Sequence, residues 1–146
     1  MRELPGELSA GELAELFEGR TRFVERLAET ADPLRRARTL VHELPEDEKK
    51  EILDAHPAIG ARAGLSARSA AEQGADADPA VLDELARLNA EYEARHGFRF
   101  VVFVNRRPKA EVLEVLKSRI GNPTDQELET ALDELVAIAE DRWCSR

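Results

Sequence analysis

Proline placement limits what this chain can fold into more than any other feature, because it cuts the sequence into short helical lengths. Asp32-Pro33 and Asp78-Pro79 each set a capping residue before a proline. That pattern marks a helix start, since a first-turn proline lacks only an N–H that would have no intrahelical partner. Ahead of them, Leu13, Leu16, Phe17, Phe23, Val24 and Leu27 recur at steps of three and four, or sums of these, as a helical face requires. Leu34, Ala37, Val41 and Leu44 form the apolar face that follows Pro33. Pro45 interrupts it, and "EDEKKEILDA" predicts a further short helix. This helix must stop near His56, because the residue before Pro57 avoids helical dihedrals.

The second half repeats the theme. Ser66 can cap a helix over "ARSAAEQGAD". The helix opened by Asp78 carries Leu82, Leu85, Asn89, Tyr92 and His96 on one face, with Gly97 as its terminator. Pro108 starts another, with Leu113, Leu116 and Ile120 inward and Gly121 at its end. Thr124 with Glu127 matches the capping box that opens the last helix. Only "FRFVVFVN", Phe98 to Asn105, is β-branched and aromatic enough to resemble a strand. It has no partner strand to satisfy its backbone groups, so a buried extended connector or an override into helix is expected. The expected organisation is mostly helical, in a single domain over residues 1–146.

Composition narrows the function. A net charge of −9 argues against nucleic acid and anionic membrane surfaces as partners. One cysteine, Cys144, permits no internal disulfide and no zinc spacing. The absence of HExxH spacing also argues against a metal site. A reducing, cytoplasmic setting is expected, since the start of the chain lacks the basic and apolar regions of a signal peptide and no apolar run is long enough to span a bilayer.

The informative residues are polar groups on apolar faces, because burying one unpaired costs roughly 1–3 kcal/mol. In the last helix the row Leu128, Leu132, Leu135, Ala139 continues to Arg142. That guanidinium either snorkels into water at the helix end or is aimed at an anionic ligand. Ser69, Glu72 and Gln73 share one helical face, as a capping box or as a polar trio. His56 follows a predicted helix, whose C-terminal end favours a cation, so its imidazole is expected to titrate near neutral pH. The plain alternative is a surface histidine at a turn. His42 and His96 read as structural.

Four stretches in order, "LDAHPAIGAR", "LSARSAAEQ", "LARLNAEYEARHGFRFVVFV" and "ELETALDELVAIAEDRW", resemble the 2-oxo-4-hydroxy-4-carboxy-5-ureidoimidazoline (OHCU) decarboxylase family over essentially the whole chain. The resemblance implies an all-α bundle, usually a homodimer, that acts on a small molecule in the last step of urate-to-(S)-allantoin conversion. It implies no cofactor and no metal. Carried over, His56 and Glu72 are the catalytic residues, and Pro57, Ser69, Gln73 and Arg142 bind substrate. Phe98, Phe100, Val101, Val102 and Phe103 correspond to the family's pocket wall. The chain departs from the family pattern at His96, where Phe is common, at Arg99, where Pro is common, and at Trp143, where Leu is common. The other readings are a non-enzymatic helical interaction module, or an enzyme of the same fold acting on a related ureido compound.

Overall fold

Local signals set most helix boundaries in the computed structural model, which describes residues 3–57 and 78–145. Seven helices lie among the described residues: α1 (Ala10–Phe17), α2 (Arg22–Ala28), α3 (Pro33–His42), α4 (Glu46–Asp54), α5 (Pro79–His96), α6 (Lys109–Arg119) and α7 (Thr124–Cys144). Ser9 and Glu12 close a reciprocal capping box on α1. Asp78 caps α5 by accepting the Ala80 N–H at 2.8 Å, and Gly97 ends α5 in the left-handed conformation, φ 81°. The predicted helix around Ser66 falls outside the described residues.

Two expected caps are not used as such. Asp32 sits at the start of α3, but its side chain makes no capping bond. Its backbone is left-handed, φ 51°, which Asp tolerates, and its N–H donates to the Gly6 carbonyl at 2.9 Å. Thr124 and Glu127 do not form a capping box; Pro123 holds the cap position of α7. Tertiary partners take both side chains instead. Thr124 Oγ1 lies 2.7 Å from His96 Nδ1, and Glu127 is fully buried.

The last helix is the centre of the bundle. At 21 residues it is about 31 Å long, and it packs against α1, α3, α4 and α5. Its buried residues run from Leu128 through Leu132, Leu135, Val136 and Ala139 to Arg142, so the row seen in the sequence is the core-facing one. Helix α6 packs on α5. Ile120, expected inward, is only half-buried at the end of α6, while its neighbour Arg119 is buried.

The strand-like segment after Gly97 is a buried extended connector. Phe98, Phe100, Val101, Val102 and Val104 are all buried, and no strand pairs with the segment among the described residues. Four of its peptide groups bond to side chains. Asp54 Oδ1 accepts the Arg99 N–H at 2.9 Å. Arg119 Nη1 donates to the Val101 carbonyl at 2.9 Å. Arg107 donates to the carbonyls of Phe103 and Val104 at 2.6 and 3.0 Å.

Arg119 is itself held by Glu127 at 2.9 Å and lies over the Phe100 ring, 4.7 Å from its centroid. Tyr92 Oη donates to the same Glu127 oxygen at 2.6 Å, and Asn122 donates to the other at 2.9 Å. Burial and that hydrogen bond push the Tyr92 phenol well above its ordinary pKa, so it acts as a donor. One buried carboxylate therefore joins α5, α6 and α7. Glu127→Ala should cost about 3–5 kcal/mol, because it strands a buried guanidinium. Glu127→Gln, which keeps the shape and one acceptor, should cost less. Urea unfolding of the two variants checks the ranking.

Candidate active site

His56 lies two residues beyond α4, where its N–H donates to the Leu53 carbonyl at 3.1 Å. It is not a surface turn residue: it is only 5 % exposed. Three elements carry charged groups to it. Arg142 comes from the last turn of α7, Glu18 from the residue after α1, and Arg99 from the connector.

Each is positioned by ordinary local chemistry. Arg142 is 2 % exposed. Its Nη1 donates to the carbonyls of Glu15 and Leu16 at 3.3 and 3.1 Å, groups that the end of α1 leaves without intrahelical partners. Its Nη2 donates to Glu18 Oε1 at 2.9 Å. Glu18 takes the left-handed conformation, φ 63°, that stops α1. Gly19 follows at φ 148°, and a Cβ there would sit 3.5 Å from the Ala55 side chain. The ends of α1 and α4 are thus in close approach. Arg99 reaches α4 twice: through its peptide N–H to Asp54, and through Nη1 to the His56 carbonyl at 2.5 Å.

The electrostatic result corrects the expectation of near-neutral titration. The His56 imidazole is pushed down to about 3. Burial does most of this, because a charged ring loses its water. Arg142 adds to it, Glu18 opposes it, and Arg99 adds again. Burial and the two arginines together outweigh the favourable end of the α4 dipole. At neutral pH the ring is therefore uncharged. Its Nε2 is buried and has no hydrogen-bond partner among the described residues. A neutral imidazole nitrogen can accept a proton and return it.

The structure brings His56 and Arg142 together, as the sequence reading grouped them. Pro57 follows His56 and is half-buried. Ser69, Glu72 and Gln73 lie outside the described residues. The rings of Phe98 and Phe100 pack on Tyr92, with centroids 5.8 and 5.2 Å away. Val101 and Val102 are buried beside them, and Phe103 is partly buried. The other two histidines have protein partners. His96 Nε2 faces the Ile120 carbonyl at 3.1 Å, and His42 lies between Glu129 and Asp133.

Sequence reasoning missed two members of the cluster. Glu18 had a signal, since an acid at a helix C-terminus opposes the dipole. Arg99 had one too: it is the single charge inside an apolar run.

An all-α bundle built around a buried histidine and arginine defines a class, and comparison with known proteins names it. Residues 4–143 match the family model described as OHCU decarboxylase. The 2-oxo-4-hydroxy-4-carboxy-5-ureidoimidazoline decarboxylase of Haloferax volcanii is 32 % identical over 126 residues, covering 80 % of this chain and 73 % of that protein. The protein of the same name from Amia calva is 33 % identical over 109 residues, 68 % of this chain and 62 % of its own length. A crystal structure of OHCU decarboxylase in the presence of (S)-allantoin superposes with a TM-score of 0.75 at 26 % identity, covering 90 % of this chain and 94 % of that one. The chain belongs to the OHCU decarboxylase family.

Burial of a neutral His56 has a thermodynamic signature. An unfolded histidine takes up its proton near pH 6.5, the folded one only near 3. Below 6.5 the unfolded chain thus binds a proton that the folded chain refuses, so this contribution erodes stability as the pH falls from 6.5 toward 3 and is absent above 6.5. His56→Asn should remove it. The stability of the variant relative to wild type should improve as the pH is lowered from 7 to 4, measured by urea unfolding at each pH; a constant difference would contradict the assignment.

Proposed function

We propose that this chain decarboxylates 2-oxo-4-hydroxy-4-carboxy-5-ureidoimidazoline to (S)-allantoin and CO2, the last step of urate-to-allantoin degradation. Membership of the family supports the reaction. The observation that carries the mechanism is the buried, uncharged imidazole of His56 with the Arg142 guanidinium beside it.

The substrate bears a carboxylate and a hydroxyl on one ring carbon, and the neighbouring carbon is an imine. When the carbon–carboxylate bond breaks, its electron pair forms a double bond to the imine carbon. The imine pair moves onto nitrogen, which takes a proton from solvent. The electron sink is thus within the substrate, and the reaction needs no pyridoxal or thiamine. The resulting enol must then lose its hydroxyl proton, becoming a carbonyl, while the former imine carbon gains a proton on one face.

Only that last transfer needs an acid–base group, and a neutral His56 suits it. It takes the hydroxyl proton and delivers one to carbon, a role in which Glu72 shares. Arg142 holds an anionic or carbonyl oxygen of the ligand and so fixes its orientation. Pro57, Ser69 and Gln73 complete the ligand contacts of this reading, with Gln73 and Glu72 on the ring and ureido N–H and C=O groups. Since Phe98 and Phe100 put their rings into the core, the connector would meet the ligand through its backbone and the Val101, Val102 and Phe103 positions. The reading extends to a homodimer working in the cytoplasm; the family likeness supports the first, and the single thiol supports the second.

The decisive measurement is stereochemical. Freshly generated substrate decays spontaneously to racemic allantoin, so purified protein should produce rapid optical rotation of one sign. His56→Ala should lower kcat by about 100-fold or more. Racemic product from the wild-type protein would overturn the reading, and near-normal turnover in the variant would remove His56 from it.

A further inference from the structure

We propose that Arg99 is a positioning residue of this site: it grips the His56 carbonyl from the connector and sets a second cation, besides Arg142, close to the imidazole. The inference rests on the reading of His56 as the proton carrier.

The geometry separates this role from mere tethering. The connector is already tied to the end of α4 by the Arg99 peptide N–H, which donates to Asp54 Oδ1 at 2.9 Å. Any residue except proline supplies that donor. The guanidinium adds something else. Its Nη1 sits 2.5 Å from the His56 carbonyl oxygen, which places a full positive charge within a residue's width of the ring. The bond also fixes the peptide from which the imidazole projects.

The charge is only loosely compensated. The carboxylate that pairs with Arg99, Glu93 on α5, is 3.6 Å away. Asp54 accepts from the Arg99 peptide N–H. Of the other charged groups facing His56, Glu18 is engaged by Arg142 at 2.9 Å. Among the described residues, the imidazole therefore sees two cations, from α7 and the connector, and one carboxylate that Arg142 also engages. A cation beside a buried ring disfavours its protonation. Arg99 thus adds to the larger effect of burial in lowering the proton carrier's hold on a proton, without touching the substrate.

The test reads His56 directly. The full chain is labelled at its three histidines, the His56 ring signal is assigned with His56→Asn, and the signal is followed by NMR down to the acid limit of the folded protein. Arg99→Met retains the peptide N–H to Asp54 and removes the charge. It should move the His56 titration upward by about one pH unit, and the acid limb of kcat/KM should move with it. Arg99→Lys should keep the titration close to that of wild type, which a purely structural role for the fork would not predict.

Superimposable curves for wild type and Arg99→Met would overturn the proposal, as would equal upward shifts in the Met and Lys variants. If neither Arg99→Met nor Arg99→Gln folds, Arg99 holds the fold together and the proposal fails as well. A wild-type protein that gives only racemic allantoin would defeat the decarboxylase reading, yet would leave the NMR comparison intact.

Discussion

The carbonyl of Val101 accepts a hydrogen bond from Arg119, and Arg119 is in turn neutralised by the fully buried Glu127. This pairing solves the main difficulty the chain sets itself. Residues 98–104 are too apolar to stay at the surface and, with no strand beside them among the described residues, cannot satisfy their own peptide groups. In a sheet a neighbouring strand would do so. Here Arg119, Arg107 and Asp54 do it with side chains. The cost is a buried ion pair, which is acceptable only because Tyr92 and Asn122 complete the carboxylate's hydrogen bonding.

The connector is anchored at both ends. At one end Arg119 binds it to α6 and, through Glu127, to α7. At the other, Arg99 and Asp54 bind it to the end of α4. His56 sits at that second junction. The same convergence explains its electrostatics: the helix ends that meet there bring Arg142 and Arg99, and the packing that brings them removes water. Desolvation, Arg142 and Arg99 act in the same direction on the ring, and among the described residues Glu18 opposes them. An imidazole held empty in this way suits the proton transfer proposed for it.

Periodicity made much of this legible. The step of three from Ala139 to Arg142 marked a guanidinium in the core row, and it is buried. The cap-plus-proline signal at Asp78 and the glycine stop at Gly97 are realised as read. Where the reading failed, a tertiary partner outbid a local one. Thr124 and Glu127 have capping-box spacing, but their side chains bond to His96 and Arg119 instead. The His56 titration was misjudged for the same reason. A helix dipole is a weak, local term that any sequence displays, while burial beside two arginines is invisible until the chain is folded.

The sequence by itself therefore determined where helices start and stop, which faces are apolar, and which histidine and arginine are out of place. Those depend on the dihedral limits of proline and glycine and on a fixed helical period, which act within a few residues. Only the tertiary structure decided which charges meet. Glu18 and Arg142 stand more than a hundred positions apart in the chain and Arg99 lies between them, so no local rule couples them. Charge effects fall off with distance and rise as water is excluded. Both distance and exclusion are properties of the packed bundle, so the state of the His56 proton is set there and not along the chain.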